Sequence, residues 1–76
     1  MNTKLPKITS IELVRIIKQL GFIFDRQSGS HAIYIHNGKH LRTVIPIHKK
    51  VILKTKTLLS ILDDAEITID ELRKLL

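Results

Sequence analysis

The sequence predicts a small α+β domain in which a helix, a three-stranded antiparallel meander, a longer helix and a short helix follow one another. Two capping-box sequences, Thr9–Glu12 and Thr68–Glu71, mark helix starts. Between them, the Asn37-Gly38 pair separates two runs rich in β-branched residues, as in a hairpin. The chain has 76 residues, so these elements are expected to share one core in a single domain over residues 1–76.

The first helix is predicted over about Ser10–Leu20. The Thr9 hydroxyl and the Glu12 carboxylate of its capping box satisfy the first free amides. Apolar side chains then recur at helical spacing, namely Leu13, Val14, Ile17 and Leu20. Gly21 supplies the left-handed residue with which many helices end.

Three strands are predicted from short β-branched and aromatic runs between turn residues. The first covers Phe22–Arg26 and is expected to end at Gln27–Gly29. The second covers His31–His36, and the third covers His40–Ile45 with Pro46 near its end. Because an edge strand tolerates a missing N–H, Pro46 is compatible with the third strand.

The Asn37-Gly38 pair favours positive φ at both positions and predicts a hairpin between the second and third strands. Side chains alternate along a strand, so His31, Ile33 and Ile35 share one face. The two isoleucines are expected to face the helices. His31 is therefore expected at the rim of the core side, where solvent reaches it.

A second helix is predicted over about Leu53–Asp64, and the capping box Thr68–Glu71 opens a short final helix. The compact arrangement places the helices on one face of the sheet. The order α-β-β-β-α is that of the double-stranded-RNA-binding fold. This match concerns topology and does not by itself fix function.

Positive charge is concentrated in the first three-quarters of the chain, although the formal net charge is only +6. Residues 1–56 carry +9 and residues 57–76 carry −3. The segment Lys39–Lys56 contains six cations and no acid, which favours an anion-binding face over a merely solvated surface. The chain has no cysteine, signal sequence or apolar stretch that would span a bilayer, so a cytoplasmic protein is expected.

His31 is the main candidate for chemistry, because histidine exchanges protons near neutral pH and this one begins a strand after Gly29-Ser30. A hydrogen-bonded structural histidine is the alternative. Gly29 fits a turn that needs positive φ, and it would also let a phosphate approach the backbone amides. Ser30 fits either a phosphate contact or a hydrogen bond within the turn.

The remaining histidines are less informative. His48 precedes Lys49-Lys50 and is a second proton carrier, an RNA contact or a surface residue. His36 and His40 flank the hairpin turn and are expected to be exposed and silent. No histidine pair has the spacing of a helical metal site, so neither a metal nor another cofactor is expected. By their spacing, Phe22 and Phe24 are assigned to the core, so of the three aromatic residues only Tyr34 is expected to be available to stack on a base.

The chain resembles the HicA toxin family, the small ribonucleases of HicAB toxin–antitoxin pairs. The matching pieces follow in the family's order and spacing: Pro6, Leu20-Gly21-Phe22, Gly29-Ser30-His31, Val44-Ile45-Pro46-Ile47-His48 and Thr57-Leu58-Leu59-Ser60-Ile61-Leu62. The resemblance implies a double-stranded-RNA-binding-like fold, ribosome-independent mRNA cleavage and neutralisation by a HicB antitoxin. It also implies that His31 is catalytic. One departure is Lys56, where the family often has glycine.

The leading hypothesis is therefore an mRNA endonuclease in which His31 is a general acid or base toward the ribose 2′-OH or the leaving 5′-oxygen. Substrate binding is expected of the turn before His31 and of the basic segment: Gly29, Ser30, His48, Lys49, Lys50, Lys54 and Lys56. A non-catalytic RNA-binding module is the first alternative. A protein-interaction domain for an acidic partner is the second.

Overall fold

The computed structural model describes residues 4–76. Residues 1–3 lie outside the described residues, and so does that part of the expectation that the N-terminus carries no signal sequence. The elements in chain order are α1 (Ser10–Gln19), β1 (Ile23–Ser28), β2 (His31–His36), β3 (Leu41–Pro46), α2 (Thr55–Ala65) and α3 (Ile69–Lys74). This order and the antiparallel sheet confirm the predicted α+β class and the double-stranded-RNA-binding topology, with one short helix appended.

Helix α1 begins and ends as its sequence predicts. The Thr9 amide donates to Glu12 Oε1 at 2.8 Å, and the Glu12 amide donates to the Thr9 hydroxyl at 3.3 Å. At the other end, the Phe22 amide donates to the Ile17 carbonyl and the Gly21 amide to the Lys18 carbonyl. These bonds form a Schellman motif, which requires the φ of +98° that Gly21 adopts.

The sheet has the order β1-β2-β3, and both pairs are antiparallel. β2 has the predicted bounds. β1 is displaced from its predicted range, because Gln27 and Ser28 pair with Ala32 and His31 instead of forming the turn. A bulge interrupts the pairing between Phe24 and Arg26. In β3 the pairing starts one residue later than predicted and includes Pro46, which lies opposite His31 on this edge strand.

The faces of β2 are the reverse of those predicted. Ala32 and Tyr34 belong to the hydrophobic core with Ile45, whereas Ile33 and Ile35 point to the face without helices. Ile33 is still only 7% exposed, because it lies on the central strand between Arg26 and Val44. The charge of Arg42 explains the orientation. This residue pairs with Ile35, so a sheet turned the other way would direct a guanidinium into the core.

The predicted hairpin between β2 and β3 is present, and the Asn37-Gly38 pair lies in its four-residue loop over residues 37–40. His36 pairs with Leu41, and positive φ occurs at His40 rather than at Asn37 or Gly38. The Lys39 amide donates to His36 Nδ1 at 3.1 Å. The His36 imidazole thus accepts a hydrogen bond from a backbone amide of the loop.

Helix α2 begins two residues later than predicted, because the chain before it pairs with the N-terminal segment. The Leu53 amide donates to the Ile8 carbonyl at 2.8 Å, and Thr9 forms an isolated antiparallel bridge with Ile52. The predicted second capping box is present at the start of α3. All three helices contribute fully buried side chains to the core: Leu13, Ile16, Ile17, Leu58 and Leu72.

Candidate active site

A two-residue hairpin turn delivers His31 to the start of β2. Ser28 pairs with His31, which leaves only Gly29 and Ser30 between the strands. Gly29 has a φ of +58° and Ser30 does not have a positive φ, the pattern of a type II′ turn. A Cβ atom at Gly29 would meet nothing within 4 Å. Glycine is therefore needed here for its backbone conformation and not to relieve crowding.

His31 is exposed and lies on the sheet face opposite the helices. The prediction that solvent reaches the ring is confirmed, but its place at the rim of the core side is wrong. Among residues 4–76, no side chain forms a hydrogen bond, ion pair or ring contact with this imidazole. Its cross-strand neighbours are Ser28 and Pro46. Both ring nitrogens are thus available to a ligand.

The fold brings the segment Val44–His48 against the motif Gly29-Ser30-His31. The Ile47 amide donates to the Ser30 carbonyl at 2.7 Å, directly beyond the pairing of Pro46 with His31. The next residue, His48, donates its amide to the Ser10 hydroxyl at 3.3 Å. Ser10 is only 1% exposed, so a buried hydroxyl at the start of α1 holds the backbone of His48 while its side chain stays exposed.

Lys49 and Lys50 form the tip of the next turn. The Val51 amide donates to the His48 carbonyl at 3.3 Å across this turn, and both lysine side chains are exposed. Lys50 has a φ of +61°, a conformation that most residues avoid. The turn therefore presents two adjacent cations to solvent immediately after His48.

Lys54 and Lys56 lie at the start of α2, where both are exposed. Lys54 occupies the N-cap position without a capping side-chain hydrogen bond, and the first turn contains no acid. The other two helices differ, since Thr9 and Thr68 hold Glu12 and Glu71 at their starts and thereby lower the pKa of each carboxyl group. The positive end of the α2 dipole therefore has no carboxylate within its own first turn.

A cavity of about 250 Å³ lies between the end of β3 and the start of α2. Pro46 and His48 line one side of it, and Lys54 and Thr57 line the other. Because Pro46 is the cross-strand neighbour of His31, the cavity begins beside the candidate catalytic residue. Of the predicted site residues, His48 and Lys54 line this cavity, whereas His31, the Gly29-Ser30 turn and the other three lysines do not.

The other two histidines lie at the opposite end of the sheet. His36 is half-buried and its ring meets Phe22 edge-to-face at a centroid distance of 5.3 Å. Together with its hydrogen bond from the Lys39 amide, this contact contradicts the prediction of an exposed, silent residue. His40 is exposed, as predicted.

The prediction that Tyr34 is available to stack on a base is wrong. Its side chain is 6% exposed on the core face, and burial raises the pKa of its phenol. Phe24, which sequence spacing assigned to the core, is 50% exposed and meets the Tyr34 ring edge-to-face at 5.7 Å. Any base stacking on this sheet would therefore involve Phe24, on the face opposite to that of His31.

Sequence reasoning missed two arginines that share the open sheet face with His31. Arg26 and Arg42 flank the central strand through their pairing with Ile33 and Ile35. Arg26 forms an exposed ion pair with Asp25 at 2.7 Å. The register of the β2–β3 hairpin, which pairs Arg42 with Ile35, was the signal that could have placed Arg42 on this face. The bulge in β1 hid Arg26, because it breaks simple alternation.

Within the described part of the chain, no group of three or more His, Asp and Glu side chains is arranged to hold a metal ion. No helix between residues 4 and 76 is long and apolar enough to cross a membrane.

Fold and site together define a small α+β protein of double-stranded-RNA-binding topology, with an exposed histidine that has no side-chain partner within residues 4–76 and that pairs with an acid-free basic segment. The model of the family described as HicA toxin of bacterial toxin-antitoxin matches residues 11–67, which is about three-quarters of the chain. The chain belongs to this family, and the resemblance seen in its motifs is confirmed. The match runs from α1 to just beyond α2 and includes both histidine motifs. No curated protein matches the chain.

Proposed function

We propose that this toxin is a metal-independent mRNA endonuclease in which His31 transfers the protons. The observation that supports the proposal most directly is the exposed imidazole of His31, which has no side-chain partner within residues 4–76 and whose cross-strand neighbour Pro46 lines a cavity with His48 and Lys54. RNA carries its own nucleophile, so the protein has only to move protons and to stabilise charge. Because mRNA is the proposed substrate, the activity is proposed for the cytoplasm.

The proposed reaction is an internal transesterification. His31 removes the proton of a ribose 2′-OH as general base, or donates a proton to the departing 5′-oxygen as general acid. The 2′-oxygen bonds to the adjacent phosphorus while the bond from phosphorus to the 5′-oxygen breaks. The products are a 2′,3′-cyclic phosphate and a 5′-hydroxyl end, and no external nucleophile is consumed.

Substrate binding is proposed for the residues along the path from the hairpin turn to α2. Lys49, Lys50, Lys54 and Lys56 offset the charge of the RNA backbone and of the phosphorane-like transition state. Gly29 and Ser30 supply an open turn whose amides a phosphate oxygen can reach. His48 is proposed as a substrate contact, with a role as second proton carrier as the alternative.

A HicB-type antitoxin is the proposed protein partner. Because the imidazole and the lysines of the candidate site are exposed, a folded inhibitor can cover them without any rearrangement of this chain. Occlusion of His31 would switch the enzyme off, and acidic side chains on the partner would complement the basic segment.

The decisive experiment incubates the purified protein with single-stranded RNA in EDTA and identifies the new ends by mass spectrometry. Cleavage with 2′,3′-cyclic phosphate ends is expected. A matched oligonucleotide with a single 2′-deoxyribose at the cleavage position is expected to stay intact, because it lacks the nucleophile. Binding without any cleavage would favour the non-catalytic RNA-binding module, and 3′-hydroxyl products would contradict the proposed mechanism.

A further inference from the structure

A second groove, larger than the cavity beside His48, runs between the N-terminal segment and the start of α2. Its volume is about 620 Å³, within the range of about 300–1,000 Å³ that ligand clefts typically have. One wall is residues 4–7 and the other includes Ile52, Leu53 and Lys54. The hydrogen bond from the Leu53 amide to the Ile8 carbonyl fixes the two walls to each other.

The groove combines cations with apolar surface. Lys4 and Lys7 stand on one wall and Lys54 on the other, and none of the lining residues is acidic. Between the lysines lie Leu5, Pro6 and Ile52, the last of which is 46% exposed. A nucleotide matches both components, because its phosphate pairs with ammonium groups while its base covers apolar surface.

The groove shares part of its lining with the cavity that contains His48. Ile52, Leu53 and Lys54 line both this groove and the cavity that contains His48. The two depressions therefore lie on either side of one short segment, and Lys54 faces both. A strand of RNA that leaves the scissile phosphate near His31 and passes His48 reaches the groove by way of Lys54.

We propose that this groove is a subsite for single-stranded RNA, in which Lys7 and Lys4 hold nucleotides that flank the cleaved bond. The inference rests on the proposed function and goes beyond it, since it assigns a role to residues that precede the family match. It commits to RNA as the occupant because the acid-free lining and the residues shared with the His48 cavity both favour a polyanion that extends through them.

The test compares a long and a short substrate. The variants Lys7→Ala and Lys4→Ala/Lys7→Ala remove groove charge, and Lys18→Ala removes one charge from the exposed face of α1, which does not line the groove. The readout is the ratio of kcat/KM for a dodecanucleotide to that for a dinucleotide. Loss of one exposed contact is expected to lower this ratio about two- to fivefold, the double variant more, and Lys18→Ala not at all.

Binding gives a second readout that does not require cleavage. In a His31→Ala background, each lost phosphate contact is expected to reduce the salt slope of dodecanucleotide binding by about 0.7. An unchanged ratio and slope in the Lys7 variants would overturn the groove proposal. Weaker antitoxin binding with unchanged RNA binding would overturn it too, in favour of a protein contact. If instead His31→Ala cleaves as well as the parent protein, the proposed mechanism fails, while the salt slopes still decide the groove.

Discussion

The two ends of strand β2 carry the same residue type in opposite environments. At the first end, His31 is exposed and has no side-chain partner within residues 4–76. At the other, His36 packs edge-to-face on Phe22 and accepts a hydrogen bond from the Lys39 amide. Five residue steps along a strand separate them by about 17 Å.

This difference separates a histidine with a structural role from the one proposed to be catalytic. An imidazole whose nitrogen is already bonded to a loop amide and whose ring covers a phenylalanine stabilises the fold. An imidazole that contributes nothing to the fold is free to bind a substrate. The first kind is expected to affect stability when mutated, and the second kind activity.

The largest expected effect is on catalysis at the His31 end. His31→Ala is expected to reduce RNA cleavage about 10²- to 10⁴-fold, because it removes the general acid or base. Its melting temperature is expected to match that of the parent protein, since the exposed ring forms no hydrogen bond, ion pair or ring contact within residues 4–76. His40→Asn is the matched control, as His40 is an exposed imidazole in the left-handed conformation that Asn tolerates. A folded His31→Ala protein that cleaves at the parent rate would refute the assignment.

A pair of glycine substitutions tests the same contrast through the backbone. Gly21 and Gly29 both have positive φ, but a Cβ atom at Gly21 would lie 2.6 Å from His36 Nε2, whereas one at Gly29 would meet open space. Gly21→Ala is therefore expected to cost about 2–4 kcal/mol in the free energy of unfolding, and Gly29→Ala about 1–2 kcal/mol.

Urea unfolding measures both costs. Gly29→Ala is also expected to reduce cleavage by the remaining folded protein, because it distorts the turn that delivers His31. Equal costs for the two substitutions would show that the packing of His36 over Gly21 contributes nothing.

Removal of the His36 imidazole is expected to lower stability moderately and to leave cleavage unchanged. His36→Ala loses a ring contact with Phe22 and leaves the Lys39 amide without its acceptor, which together cost about 1–2 kcal/mol. Cleavage per folded molecule is expected to stay at the parent level, with urea unfolding and RNA cleavage measured on the same preparation. A selective loss of cleavage would contradict the division of roles between the two histidines.

The smallest expected effect is on stability at acidic pH, and it involves the capping boxes of α1 and α3. Hydrogen bonds from Thr9 lower the pKa of Glu12, and those from Thr68 lower the pKa of Glu71. Carboxyl groups with a lowered folded-state pKa stabilise the fold fully above their ordinary value of 4.5, and this contribution is lost as the pH falls below it.

Glu12→Gln and Glu71→Gln are each expected to make stability less sensitive to pH below this value. Urea midpoints measured at pH 6 and again in acid provide the check. Midpoints that fall in parallel for the variants and the parent would show that the caps do not contribute to acid sensitivity.

Much of the fold could be predicted because its signals are local. Each capping box is contained in four residues, and the structure shows both as predicted. The bounds of β2 follow from Gly29-Ser30 on one side and Asn37-Gly38 on the other. Where a distant segment intervenes, prediction was less exact. The start of α2 is displaced because residues 52 and 53 pair with the N-terminal segment.

The candidate site could be predicted only as a set of residues. The motif Gly29-Ser30-His31 and the basic segment were legible in the chain. The sequence contained no sign that the Ser10 hydroxyl holds His48 or that Ile47 bonds to Ser30, because these hydrogen bonds join segments far apart along the chain. The groove beside Lys7 was equally hidden, since its walls meet only in the folded protein.

The sequence by itself determined where α1 and α3 are capped, where the second strand lies and which imidazole follows the Gly-Ser turn, since these depend on bonds within a few residues. Only the tertiary structure decided which face of that strand is buried. Both faces are apolar, Ala32 and Tyr34 on one and Ile33 and Ile35 on the other, so alternation alone left the choice open. Packing resolved it, because pairing with β3 keeps Arg42 in water and turns His31 to the open side of the sheet.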